Sequence, residues 1–143
     1  MMGFFEIRDH TADIQLVSGG ASLEDAFEQA ALGLFSFITE TKRVQPKSQY
    51  PVSLEATDPE ALLVAWLNHL LYLHDADRLL FSRFAVQEIT STSLQAILFG
   101  EEYDKTRHVM KDMVKAATWH QVKISQETKK GKPWVEAKII LDV

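Results

Sequence analysis

The chain contains no cysteine. Disulfide staples, thiolate metal sites and cysteine nucleophiles are therefore excluded, and such a chain suits a reducing compartment. Long apolar runs are also missing. The longest, Ala61 to Leu73, is broken by Asn68 and His69 and is too short to span a bilayer. The opening residues, Met1 to Arg8, hold no apolar stretch of signal-peptide length. The expectation is a cytoplasmic protein with no membrane partner. There is no glycine-rich phosphate loop, no G-x-S-x-G elbow and no H-E-x-x-H. A basic excess is lacking too, since the net charge is −5. A protein that grips RNA or DNA by itself needs a basic face to neutralise phosphates. Here the lysines gather mainly in Lys129-Lys130-Gly131-Lys132, which reads as a hairpin tip. An acidic surface suits a basic protein partner or a cation.

What is present is the material for one core. The 143 residues are 46% hydrophobic and 24% charged, which fits a single domain over residues 1–143. Phe4–Arg8 alternates and reads as a strand, and Ile14 and Leu16 mark a second, closed by Gly19-Gly20. Ser22 and Asp25 form a capping-box pattern. Leu23, Ala26, Phe27, Ala30, Ala31, Leu34, Phe35 and Ile38 follow at helical spacing. Val52, Leu54 and Ala56 predict a strand. Asp58 and Pro59 open a second helix, whose broad apolar face of Leu62, Leu63, Trp66, Leu67, Leu70 and Leu71 places it centrally. After Asp77 the pattern changes to strands. One hairpin is expected over Leu79–Thr90 and Ser93–Gly100, and another over Thr118–Gln126 and Trp134–Val143. This order predicts an α+β fold, two helices on a mostly antiparallel or mixed sheet.

The polar residues that can carry chemistry are scattered. Asp9-His10-Thr11-Ala12-Asp13 gathers two carboxylates, an imidazole and a hydroxyl between the first two strands. That set can hold a hard cation or poise a proton transfer, and it also describes a capped turn. Asp142 stands next to Val143, which adds a main-chain carboxylate as the last residue. If the last strand ends beside the Asp9–Asp13 turn, Asp13, Asp142 and that carboxylate make an all-oxygen cluster, of the kind calcium or magnesium prefers. Lys115 and His120 enter the Thr118–Gln126 segment, where they steer an anion or simply sit on the surface. Gly100-Glu101-Glu102-Tyr103-Asp104 reads as a solvated acidic loop. His69 and His74 read as packing or capping residues, and Trp66 as core.

Taken together, these segments resemble the archease family. The matching pieces are Asp9-His10-Thr11-Ala12-Asp13-Ile14, Ala30-Ala31-Leu32-Gly33-Leu34-Phe35 and Leu62-Leu63-Val64-Ala65-Trp66-Leu67-Asn68. Gly100-Glu101, Lys115-Ala116-Ala117-Thr118-Trp119-His120 and Leu141-Asp142-Val143 follow in order. The match runs from about Phe4 to the last residue, with Trp119 where the family commonly has tyrosine. The resemblance implies a protein cofactor, not an enzyme, that activates the GTP-dependent tRNA-splicing RNA ligase. It implies promotion of ligase guanylylation and multiple turnover, with RNA met only through the ligase. It also implies a divalent metal, calcium by the donor set with magnesium or manganese as substitutes, held by Asp13, Asp142 and Val143. Lys115, His120 and His10 would face the partner. Two other readings of the same residues are an independent metal-dependent phosphohydrolase and a general chaperone-like interaction module.

Overall fold

The computed structural model describes residues 2–9 and 13–143. Strands β1 (Phe4–Asp9) and β2 (Ile14–Gly20) come first, then helix α1 (Leu23–Ile38), a short 3-10 turn, strand β3 (Ser48–Glu55) and helix α2 (Pro59–Asp77). The rest is strand: β4 (Leu79–Ile89), β5 (Ser93–Glu102), β6 (Ala116–Ala117), β7 (Lys123–Lys129) and β8 (Lys132–Asp142). The α+β expectation is met, and the ladders among the described residues are all antiparallel.

Both helices start where side chains satisfy orphan amides. Ser22 Oγ accepts from Asp25 N–H at 3.1 Å, and Asp58 Oδ1 accepts from Ala61 N–H at 2.8 Å with Pro59 at the first position. Only the Ser22 half of the expected capping box is made. α2 ends at Arg78, which takes the left-handed conformation at φ 59°.

The strands form two sheets. One runs β1-β2-β8-β6, with β7 also paired to β8, and the other runs β3-β5-β4. α1 packs against strands of both, so its apolar stripe joins the two sheets into one core with α2. Trp66 is fully buried there, and its indole N–H donates to Phe27 O at 3.0 Å. His74 does cap: a carbonyl only accepts, so its Nδ1–H donates to Leu79 O at 2.9 Å. The β7–β8 hairpin closes through Lys130 and Gly131, both at positive φ (52° and 76°), the geometry of a primed two-residue turn.

Gly100 lies where β5 meets an irregularity in β4. A Cβ at that position would collide with the Leu80 carbonyl, which is backbone and has little room to yield. Gly100→Ala should therefore cost about 1–3 kcal/mol, read as a lowered midpoint in urea unfolding. An unchanged midpoint would show that the strands separate freely there.

One expected element is broken. Thr118–Gln126 is not a single strand: β6 ends at Ala117 and β7 begins at Lys123. Thr118 N–H still bonds Ile140 O, whereas Lys123 pairs with Lys138. Five steps on this segment thus span two on β8, and the excess loops out as a turn. His120 N–H donates to Thr118 Oγ1, Val122 N–H reaches back to Trp119 O, and Gln121 adopts φ 54°. Trp119 is left 62% exposed.

Candidate functional site

Strand pairing brings the scattered candidates to one end of the first sheet. β2 and β8 are antiparallel with Ile14 opposite Leu141, both buried. That register, carried one step beyond the ladder, sets Asp13 opposite Asp142. Residues directly opposite on antiparallel strands point to the same face, with Cβ atoms about 5 Å apart. Since Ile14 and Leu141 face the core, Asp13 and Asp142 face away from it. On the other side of β8, Ala116 pairs with Asp142, and Lys115 N–H donates to Asp142 O at 2.8 Å. The same one-step continuation puts Lys115, exposed, opposite Val143, which is 38% exposed.

Asp13, Asp142, Val143 and Lys115 therefore share one sheet end across three neighbouring strands. His120 is exposed in the turn that follows Thr118. His10, with Thr11 and Ala12, lies outside the described residues.

The donor set fits a hard cation. Like charges directly opposite on a sheet repel, and a cation between them removes that penalty. Among the described residues, Asp13 and Asp142 do not form part of a group of three or more His, Asp or Glu side chains. Val143 follows Asp142 on the same edge.

Asn68 is a residue whose role the sequence did not reveal. Its Nδ2–H donates to Ala117 O at 2.9 Å and its Oδ1 accepts from Ala117 N–H at 2.9 Å. One side-chain amide thus satisfies both backbone groups of Ala117 and fastens the two-residue strand β6 beside Asp142. The signal was a lone amide inside the leucine-rich face of α2. Asn68→Leu removes both partners and should cost about 1–3 kcal/mol. Amide hydrogen exchange at Ala117 should accelerate in this variant before that of β2 or β8. Unchanged exchange would mean that β6 holds without the clamp.

Glu101 overturns another expectation. It is the next-to-last residue of β5 and is only 2% exposed, not part of a solvated loop. Arg107 grips it with both terminal nitrogens, Nη1 to Oε2 at 3.0 Å and Nη2 to Oε1 at 2.8 Å. Gln45 N–H and His108 Nε2 add bonds to Oε2, each at 2.8 Å. His108 Nδ1 accepts from Asp104 N–H, so the Nε2–H must be the donor to Glu101. Chiefly through the Arg107 bonds, and against the opposing effect of burial, the Glu101 carboxyl is lowered to about 2. His69, half-buried and stacked near Tyr72, has its pKa lowered by burial, which suits packing.

No helix among the described residues is long and apolar enough to cross a membrane. Residues 5–143 match the model of the Archease protein family (MTH1598/TM1083). The chain is 39% identical to the protein archease of Sulfolobus acidocaldarius over 123 residues, covering 85% of this chain and 88% of that one. It is 36% identical to the protein archease of Methanosarcina mazei, covering 97% and 95%. The solution structure of Methanobacterium thermoautotrophicum protein 1598 superposes with a TM-score of 0.80 at 35% identity, covering 97% of this chain and 98% of that one. The crystal structure of an archease from Thermotoga maritima shares the fold, with a TM-score of 0.62 at 17% identity. By sequence and by fold, this chain belongs to the archease family.

Proposed function

We propose that this chain is a protein activator of a GTP-dependent tRNA-splicing RNA ligase and acts in the cytoplasm. In this reading it promotes guanylylation of the ligase and lets the ligase turn over repeatedly in tRNA splicing and RNA repair. The observation that carries the reading is the meeting of Asp13, Asp142, Val143 and Lys115 at one sheet end, in a member of the archease family. Asp13, Asp142 and the Val143 carboxylate would hold a divalent cation, with calcium first by the all-oxygen set and magnesium or manganese as substitutes. When bound, that cation supplies positive charge for phosphate oxygens. Lys115 adds a fixed cation at the same edge and attracts the same oxygens. Trp119 stands exposed near His120 and offers an aromatic contact to the partner, a common kind of interface anchor. Of the partner-facing residues, Lys115 lies on this end, His120 is exposed in the turn that follows Thr118, and His10 is assigned by its place in the motif alone. RNA is met only through the ligase, as a net charge of −5 suits.

Thr118 Oγ1 donates to Ile140 O and accepts from His120 N–H, so its hydroxyl serves the turn and is not poised as a nucleophile.

Guanylylation tests the reading. Cognate ligase incubated with labelled GTP and a divalent metal should become labelled faster when this protein is present. Lys115→Ala and Trp119→Ala should each weaken that stimulation while folding normally. Equal labelling with and without the protein would refute the activator role.

A further inference from the structure

A second site lies apart from the carboxylate edge. A cleft of about 580 Å³ opens between the start of β3, the end of α2 and the loop after β5. Its walls carry Lys47, Arg78, Lys105 and Arg107, brought from three separate segments. The lining carboxylates are Glu101, Glu102 and Asp104. Four cations against three anions leave the cleft net positive, on a chain whose net charge is −5.

The carboxylates are also not equally available. Glu101 is taken by Arg107, His108 and Gln45. Asp104 Oδ1 accepts from the Thr106 N–H and hydroxyl, and its Oδ2 faces Arg107 Nε at 3.3 Å. Among the described residues, Lys47, Lys105 and Glu102 enter no ion pair, and Arg78 only lies over the Tyr103 ring at 5.5 Å. Three uncommitted cations thus face one uncommitted carboxylate.

The cleft is also preformed. The Glu101 network ties the loop to the β5 end, so the loop carrying Lys105 and Arg107 needs little ordering on binding. Ser48, Tyr50 and Tyr103 line the same space, and their hydroxyls make no hydrogen bond to described residues. Walls of ammonium, guanidinium and hydroxyl groups suit an anion with several acceptor oxygens and do not suit an apolar ligand. The cations are confined to one recess and form no stripe, which favours a compact ligand over a nucleic-acid strand.

We infer that this cleft binds a small phosphate-bearing molecule of the di- or triphosphate class, gripped by Lys47, Arg78 and Lys105 over the Glu101–Arg107 floor. The inference does not rest on the activator reading.

Calorimetric titration of the metal-free full chain with inorganic pyrophosphate, and separately with GTP, tests it. Binding with a dissociation constant of about 1 mM or tighter is expected. Lys47→Glu and Lys105→Glu, both at exposed positions, should each weaken it about tenfold or more. Glu102→Gln should tighten it, and Asp142→Asn should leave it unchanged. Pyrophosphate should move the backbone amide resonances of residues 47–50 and 101–107. GTP binding much tighter than pyrophosphate would identify a nucleotide as the source of the phosphates, and equal binding a free polyphosphate. Absence of pyrophosphate and GTP binding, or binding insensitive to both lysine variants, would overturn the inference. So would tighter, steeply salt-dependent binding of a single-stranded RNA oligomer to the same residues, since that would make the cleft an RNA contact.

Discussion

Glu101→Gln should destabilise the protein by about 2–4 kcal/mol, lowering the melting temperature by about 10 °C. The substitution is isosteric, so lost packing does not account for the effect. Four donors converge on the two carboxylate oxygens: two from Arg107 and one each from Gln45 and His108. An amide presents one acceptor and one donor, so at least one of those N–H groups would face another N–H in a buried place. Arg107 is partly exposed, which lets water moderate the loss and keeps the estimate below that for a fully buried pair.

The same network predicts a pH dependence. The Glu101 carboxyl sits at about 2 in the folded protein against an ordinary 4.5. The unfolded chain therefore takes up this proton first as pH falls. The stability that Glu101 contributes is complete above the ordinary carboxylate range and is lost as pH drops through 4.5 toward 2. The difference in melting temperature between the parent and Glu101→Gln should shrink over that window and be nearly constant from pH 6 to 8. A variant that melts within about 2 °C of the parent at neutral pH would show that the cluster is incidental to the fold.

The second large effect belongs to the carboxylate edge. Asp13→Asn and Asp142→Asn should each weaken calcium binding by tenfold or more, since each removes a side-chain charge from the proposed ligand set. Neither change should lower the melting temperature of the metal-free protein, and each is expected to raise it slightly by relieving repulsion between opposed carboxylates. Calorimetric titration with calcium and melting in chelator check both halves. Unchanged affinity would remove Asp13 and Asp142 from the ligand set. A strong loss of apo stability would assign them to the fold.

The helices were legible because their signals are local. Ser22, and Asp58 with Pro59, announce helix starts, and the leucine and phenylalanine spacing sets the buried faces. The hairpin at Lys130-Gly131 was legible for the same reason. The break after Ala117 was not. Thr118-Trp119-His120-Gln121-Val122 carries no glycine or proline, and its turn depends on Thr118 bonding Ile140 across the sheet. Glu101 was misread because an acidic run looks solvated until its partners fold back onto it, six and seven residues along the chain. The meeting of Asp13 with Asp142 needed the pairing of an early strand with the last one, which no local pattern specifies. The residues alone offered it as a condition on where the last strand ends, and the resemblance to a family implied it. Asn68 showed as a polar interruption of an apolar helix, but its partner at Ala117 is a long-range contact.

Ligation under multiple turnover tests the central claim most directly. Cognate tRNA-splicing ligase is held substoichiometric to broken RNA, with GTP and a divalent metal, and the joined product is counted per ligase. Addition of this protein should carry the reaction from about one turnover to many, and the Asp142→Asn protein, folded and at the same concentration, should fail to do so. Product that stays near one per ligase in the presence of the parent protein, with a ligase of proven activity, would contradict the account.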